Sequence, residues 1–409
     1  MIRKIFKGVC VASVCLLLCF DGYAQKIKAG VLVVGGSSAG VAAAIQSAHS
    51  GVKTILIDKG NFESIVLPSD EGQTRSGIYA NFIKRVESAQ KYPVTKNQVF
   101  SPSFAATIFK AWADTVKNLT VITRVSVTAI AKDGKGWEAI LSNKQIVKAD
   151  VVVDATQDNY VASLASLKVV DTIKNSSPDS LPYADNKYRT GVAITPSANT
   201  FPVTIPVSAF IGATDNFLAP WNRQIIATTA TGQAAGAIAA FCSFFKTTTK
   251  TLNVRMIQSE LMSFGSQLMR FDDVAEKDTN AMAIQNIALT GILKGRAVSG
   301  KFYFMPDSNI STDEIMIPVK EYSSRSQIWF LDNKSEKLSL KETLSLIKFI
   351  ASRGNELDRE VTKGWSTSLK LPGKFDPARP VTRLEFAVLF NAFVRPFNVS
   401  VDLAGVLKR

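Results

Sequence analysis

The chain has 409 residues, 46% of them hydrophobic and 20% charged, so it can bury at least one full core, reads as two domains, and is neither disordered nor collagen-like. Its 48 Lys and Arg against 34 Asp and Glu leave a net charge of +14. The cations are scattered, with no block that would track a phosphate backbone, so nucleic acid is not an expected partner.

Residues 1–24 read as a secretory signal peptide. Arg3, Lys4 and Lys7 precede an apolar run from Val9 to Phe20, and Gly22-Tyr23-Ala24 supplies the small residues for cleavage after Ala24. A lipoprotein alternative through Cys19 lacks the usual small residue beside the cysteine, because Leu16-Leu17-Leu18 stands there. The expected localisation is export to a bacterial periplasm, cell surface or medium. The leader has no twin-arginine pair, so the chain is expected to cross unfolded and to collect any cofactor outside. A second apolar stretch, Gln224 to Phe245, is interrupted by Gly232, Gln233 and Gly236, so no transmembrane span is expected in the mature chain.

Cys10, Cys15 and Cys19 all fall in the leader, which leaves Cys242 alone in the mature chain. An intrachain disulfide, a cysteine-ligated iron–sulfur cluster and a Cys-x-x-Cys pair are thereby excluded. Cys242, in an apolar helix, reads as a core residue. The single histidine, His49, excludes multi-histidine zinc sites and reads as a helix-surface residue rather than a base. No metal site is expected. Chemistry must come largely from a cofactor.

The first element of the mature chain is a short apolar strand, Val31-Leu32-Val33-Val34. Gly35-Gly36-Ser37-Ser38-Ala39-Gly40 follows at once, and then a small-residue helix from Val41. Strand, tight turn and helix in that order place backbone amides and a helix N-terminus around a pyrophosphate. A second strand, Thr54-Ile55-Leu56-Ile57, ends in Asp58, at about the 20-residue spacing where an acid meets a ribose hydroxyl. Ser37 stands where the general pattern has its middle glycine. From Leu119 to Val147 short strands alternate with turns as a β-meander, opening with Leu119-Thr-Val-Ile-Thr. The meander closes into the buried strand Ala149 to Asp154, which ends in Ala155-Thr156. Further on, Thr231-Gly232-Gln233-Ala234-Ala235-Gly236 has the Gly/Ala density of a helix whose start meets a ligand closely.

That order of motifs resembles the FAD-dependent oxidoreductases of the glutathione-reductase-like group, most of all exported bacterial flavoproteins with a GGTPAG-like turn. The resemblance covers residue 30 to about 265. It implies FAD as cofactor, with Gly35, Gly36, Ser37, Ser38, Ala39 and Gly40 at the pyrophosphate, and Asp58 with Lys59 beside it at the adenosine ribose. Asp154, Ala155 and Thr156 are implied as the second strand-end motif, and Gly232, Gln233, Ala234 and Gly236 as the helix at the flavin end. Gly72 and Gln73 resemble part of a Gly-Gly-Gln-x-Thr loop beneath the isoalloxazine. Glu71 replaces a glycine of that loop, and Gln157 replaces the glycine usual after the second motif. Arg223 and Gln73 are the best polar candidates near substrate, Trp221 reads as core, and no catalytic base is named.

From residue 266 the glycine-rich pattern stops. The stretch Phe271 to Glu314 resembles an S-layer-homology-like repeat, and Phe375 to Phe386 repeats its tail, with a blurred middle copy through Leu338 to Ile350. Thr382 and Glu385 have capping-box spacing, and Arg383 is free in this reading to offer a fork to an acidic glycan.

The expected architecture is therefore α/β. A signal peptide spans 1–24, a glutathione-reductase-like FAD/NAD(P)-binding Rossmann domain with a small β-meander and a reduced substrate cap spans 25–265, and a mainly α-helical S-layer-homology-like domain spans 266–409. The expected function is hydride transfer from a small organic or sugar-derived substrate to flavin. The alternative is a catalytically degenerate relative that acts as a scaffold or binds cell-envelope glycan through its C-terminal domain. A NAD-dependent dehydrogenase is disfavoured, because the Thr231 to Gly236 segment has no role in one.

Overall fold

The computed structural model describes residues 26–67, 75–95, 98–167, 183, 185–195, 203–220, 228–275 and 277–408. The leader, Gly72, Gln73, Trp221 and Arg223 lie outside the described residues.

β1 (Lys26–Val34) is buried on both faces through Val31–Val34, as a central parallel strand must be. The glycine turn leads into α1 (Ser38–His49), which returns to β2 (Thr54–Asp58), parallel to β1 with Val31 beside Thr54. Two helices not read from the sequence come next, α2 (Gly77–Gln90) and α3 (Pro102–Ala113). They form a crossover long enough to bring β3 (Leu119–Thr123) back parallel to β2. Leu119-Thr-Val-Ile-Thr is thus an edge strand of the main sheet and not the opening of the meander. The meander itself is β4 (Val127–Asp133) and β5 (Gly136–Leu141), antiparallel and closing on β6 (Ile146–Asp154).

The sheet order is β3-β2-β1-β6-β5-β4. After the short α4 (Tyr160–Leu164) and the ribbon β7 (Gly191–Thr195) with β8 (Val203–Pro206), a two-residue strand, β9 (Phe217–Leu218), lies parallel to the end of β6. The result is a Rossmann-like mixed α/β unit. Alternate side chains divide between two cores: Leu32, Val34, Ile55 and Val152 meet Trp137 and Phe217 on one face, while Val31, Val33 and Val151 meet the helices on the other.

On the helical face α1 packs along α5 (Thr229–Phe244) with no room for side chains between them. A Cβ on Gly232 would lie 2.0 Å from the Ala39 carbonyl oxygen, and one on Gly236 would lie 2.4 Å from that of Ala43. The four-residue spacing on both helices keeps these small residues on one line. Ser47 Oγ then donates to the Gly236 carbonyl at 2.9 Å, which closes the pair.

Beyond α6 (Val254–Ser263) come α7 (Ala281–Thr290) and the hairpin β10 (Arg296–Val298) with β11 (Lys301–Tyr303). Five helices follow: α8 (Thr312–Tyr322), α9 (Ser326–Asp332), α10 (Leu340–Ala351), α11 (Glu356–Gly364) and α12 (Arg383–Leu389). Among the described residues no helix is long and apolar enough to cross a membrane. The starts of α8, α10 and α12 gather at one place: Leu338 N donates to Ile310 O, Val381 N to Leu338 O, and Arg383 N to Ser308 O. Ser311, Ser339 and Thr382 cap them, each accepting from an amide three residues on. The middle copy, read as blurred, has a complete capping box through Glu342, as α12 has through Glu385.

The first copy has none, because Glu314 is engaged elsewhere. Its carboxylate pairs with Arg383, which is 1% exposed, donates from Nε to Phe304 O at 2.7 Å and from Nη2 to Lys294 O at 2.7 Å, and lies over the Phe304 ring. This corrects the reading of Arg383 as a free fork for glycan. The position after the cap points inward in every copy, and its occupants Thr312 and Leu340 are buried as well.

One apolar core includes Val33 and Ile238 as well as Phe304, Phe386 and Val401, so it runs across residue 265. Buried arginines seam the two parts. Arg189 pairs with Glu321 and donates from Nε to Thr290 O at 3.3 Å. Arg255 donates to Gln258 Oε1 at 2.9 Å and to Arg189 O at 3.2 Å, with its guanidinium 4.5 Å from the Phe397 ring centre. Burial pulls the Arg255 pKa down to about 10.

Removing one member of the buried ion pair leaves the other charge uncompensated. Arg383→Ala should therefore lower the urea-unfolding free energy by about 3–5 kcal/mol, while the paired change Arg383→Met with Glu314→Gln should cost less than that single substitution. A loss under about 1 kcal/mol for Arg383→Ala, the range of exposed pairs, would contradict the burial described here.

Candidate functional site

The C-terminal ends of β1, β2 and β6 meet at the glycine turn. Gly35 has φ +108°, and a Cβ there would lie 2.6 Å from Ala155 O, so only glycine fits. A Cβ on Gly40 would lie 1.9 Å from Gly35 O, which holds the helix start against its own turn. Ser37 is the N-cap of α1: its Oγ accepts from Gly40 N at 3.2 Å and donates to Ala155 O at 3.0 Å. The side chain at the middle-glycine place therefore turns toward the end of β6 and leaves the solvent side of the turn to backbone. Serine is compatible with the motif for that reason.

Four amides of the turn have partners. Gly35 N bonds Ile57 O at 2.8 Å, Gly36 N bonds Asp58 Oδ1 at 3.0 Å, Gly40 N bonds Ser37 Oγ, and Val41 N bonds Ser37 O at 2.9 Å. The amides of Ser37, Ser38 and Ala39 have no partner among the described residues, although these residues are at most 7% exposed. The first amides of a helix have no intrahelical acceptor and lie at the positive end of its dipole, which favours an anionic acceptor there. A diphosphate fits that demand.

Asp58 is 4% exposed and closes the loop from the other side. Its Oδ1 accepts from Gly36 N and its Oδ2 from Phe62 N at 2.8 Å, and each oxygen keeps one lone pair for a hydroxyl donor. Phe62 sits at φ +65° with its ring fully buried, a strained conformation for a non-glycine residue that the Asp58 contact stabilises. Nothing in the local sequence around Phe62 marks it for this role. Lys59 follows on the surface.

The second strand-end motif lies directly beside the first. Ala155 N bonds Val34 O at 2.8 Å, and Ala155 O receives the Ser37 hydroxyl. Asp154 is turned away from the glycine loop: it accepts from Thr156 N at 3.2 Å, Thr156 Oγ1 at 2.6 Å and Ala162 N at 2.8 Å, which fastens the turn to α4. Burial raises its pKa against the pull of these hydrogen bonds.

The α5 residues assemble next to α1, in a different role from the one their glycines implied. Gly232 and Gly236 face the α1 backbone, where they permit contact between helices, and Ala234 is fully buried. Gln233 joins three helices: its Oε1 accepts from Ile78 N at 2.9 Å, and its Nε2 donates to Gln46 Oε1 at 2.7 Å. Gln46, a polar residue in an otherwise small and apolar stretch, was the one sequence signal for this link. Thr228 and Thr231 form a reciprocal cap at the start of α5.

The two reactive side chains weighed from the sequence stand apart from the turn. His49 ends α1, exposed, with its ring 5.5 Å from that of Phe264; burial and nearby Arg85 lower its pKa. Cys242 is buried in α5, and burial pushes its thiol up to about 12, so it stays protonated and inert.

This geometry defines a nucleotide-binding βαβ unit with a second strand end brought against its turn. Residues 30–175 match the family model described as FAD dependent oxidoreductase. A search of curated proteins finds no match. Among solved structures, a stretch covering 32% of this chain and 35% of the other aligns with thioredoxin reductase of T. acidophilum at 21% identity and a TM-score of 0.21. A flavoprotein/dehydrogenase of Cytophaga hutchinsonii aligns over 34% of this chain and 42% of its own at 22% identity and a TM-score of 0.27. Bacillithiol disulfide reductase of Bacillus cereus aligns over 32% and 40% at 23% identity and a TM-score of 0.23. The chain thus spans about two-fifths or less of these relatives' length, and their whole activities are not carried over.

Two outcomes follow from the site. Ser37→Ala removes the α1 cap and should cost about 1 kcal/mol in thermal or denaturant unfolding, whereas Ser37→Gly should cost only a few tenths. Asp154 holds its proton more tightly in the folded chain than at its ordinary value of 3.8. Its contribution to stability should therefore fall as pH rises from 3.8 through the raised pKa, and level off above it. Denaturant titrations across that window should flatten in Asp154→Asn; an unchanged slope would remove Asp154 as the source.

Proposed function

We propose that this protein is an exported FAD-dependent oxidoreductase that takes a hydride from a small organic or sugar-derived substrate. The observation that carries the reading is the set of amides at Ser37, Ser38 and Ala39, without a partner among the described residues, which fit the diphosphate of FAD. The family match over residues 30–175 supports the same cofactor. Export rests on the leader sequence, residues 1–24.

In this reading the Ser37, Ser38 and Ala39 amides bind the diphosphate, and Gly35, Gly36 and Gly40, whose Cβ positions would meet Ala155, Asp58 and Gly35, let the turn close to the shape that presents those amides. Asp58, held by Gly36 and Phe62, directs its remaining lone pairs to the adenosine ribose. When bound, FAD would supply the hydride-accepting chemistry, with the protein contributing orientation and charge near the ring. Gln233 keeps α5 fixed against α1 and α2, so the helix start at Thr228–Thr231 has a set position relative to the turn. Gly72 and Gln73 remain the proposed residues at the ring, and Arg223 the proposed substrate contact.

A second reading has one observation in its favour. The Gln233 amide, implied at the flavin end, is engaged by Gln46 and Ile78. A chain that keeps the scaffold without turnover would use its C-terminal part, with three capped helix starts gathered at one point, to meet envelope glycan. That contact would need side chains other than Arg383.

FAD titration of the mature protein, followed by visible absorption and flavin fluorescence, tests the first reading. Binding is expected, and Ser38→Asp, which sets a carboxylate among the phosphate-facing amides, should weaken it by more than about tenfold, or ~1.4 kcal/mol. A chain that stays colourless in excess FAD, or a Ser38→Asp variant that binds as well as wild type, would overturn the assignment.

A further inference from the structure

The last turn of α5 exposes a cluster of aromatic rings that the nucleotide site does not use. The Phe245 ring meets Phe241 tilted at 4.7 Å between centroids and Phe244 edge-on at 5.1 Å, and Phe244 is 64% and Phe245 48% exposed. Met256 of α6, 45% exposed, lines the same groove together with Ser50 and Ile257. Four large apolar side chains at one spot, two of them adjacent rings facing solvent, form a patch and not scattered exposure.

The patch lies at the opposite end of the strands from the glycine turn. A Cβ on Gly30 would lie 2.3 Å from Ser243 Oγ, which places the first half of β1 against the end of α5. Strand alternation then puts Lys28 and Lys26 on the face of β1 that Gly30 presents to α5, and the Lys53 carbonyl accepts from Gly30 N at 2.8 Å. Lys246, 74% exposed, and Lys250, 72% exposed, follow the rings directly. Lys246 and Lys250 thus flank the apolar cluster, and Lys26, Lys28 and Lys53 lie at the same end of the strands. The acids near it are Asp150, paired with Lys246 at 2.9 Å, Asp215, paired with Lys250 at 3.2 Å, and Glu260 on the rim of the groove, while Asp133 and Glu138 pair with Lys148, which lies beside Lys28 on β6. Lys28 and Lys53 form no ion pair among the described residues, and Lys26 forms none either but faces the charge of Asp133.

We infer that this end of the molecule docks on an anionic phospholipid surface. Aromatic side chains enter the headgroup boundary while flanking lysines meet the lipid charge, the arrangement that gives peripheral membrane binding. A second copy of the chain is a poorer occupant, since a two-fold contact through the patch would set lysine against lysine. Docked this way, the molecule points its glycine turn away from the bilayer, so the nucleotide site stays open. The inference does not depend on the cofactor assignment, because no residue of the patch belongs to that site.

Cosedimentation of the mature chain with vesicles tests it, using phosphatidylcholine alone and a one-to-one mixture with phosphatidylglycerol, at low and high salt. Binding is expected only to the mixed vesicles and should weaken at high salt. Phe244→Ser with Phe245→Ser should lower the partition by about tenfold or more, and Lys28→Glu with Lys53→Glu by a similar factor, each lysine near such a surface being worth roughly a several-fold change. All four residues are exposed, and thermal unfolding confirms that the variants fold. Absence of wild-type binding to the mixed vesicles, binding unchanged in the phenylalanine variant, or a lipid-free dimer that this variant dissociates would each overturn the inference.

Discussion

Backbone meets backbone at three places around the sheet's C-terminal edge, and the rest of the molecule is arranged around that contact. Gly35 against Ala155, Gly40 against Gly35 and Gly232 against Ala39 each leave less space than one methyl group requires. With side chains excluded there, the end of β1, the start of α1, the end of β6 and the start of α5 converge on one small volume. The convergence leaves the Ser37, Ser38 and Ala39 amides with no acceptor from the described chain. Tight packing and an anion-seeking helix start are thus two results of the same constraint.

The polar residues around this volume hold it in shape. Asp58 ties the turn to a strained Phe62, Ser37 ties the α1 cap to Ala155, and Gln233 ties α5 to α1 and α2. Each makes at least two buried hydrogen bonds to separate elements, so loss of one would loosen several contacts at once. The same approach recurs in the C-terminal part at larger scale. There Arg383 crosses from one helix start to Glu314 of another, and Arg189 and Arg255 join that part to the α/β unit. The two parts share one apolar core, which makes the C-terminal helices a continuation of the structure across residue 265.

The charge distribution has a polarity as well. At the cofactor end positive potential comes from main-chain amides, while at the other end of the strands it comes from lysine side chains around exposed phenylalanines. The first suits a small buried anion and the second a broad anionic surface.

Much of the α/β unit was legible in the amino-acid order, because its signals are local. A four-residue apolar run, a glycine turn, small residues at helical spacing and an acid closing the next strand each state their own conformation. The cap at Thr382 follows the same rule. What the order could not show is where side chains with two possible partners would turn. Arg383 reads as a surface fork, and its actual direction depends on Glu314, 69 positions away. Gly232 and Gly236 read as ligand contacts until α1 is laid against them. Leu119–Thr123 reads as a meander strand until α2 and α3 carry it to the edge of the sheet. Local conformation is set by sterics within a few residues, whereas partner choice is set by which distant elements the core brings together, and only the folded chain decides that.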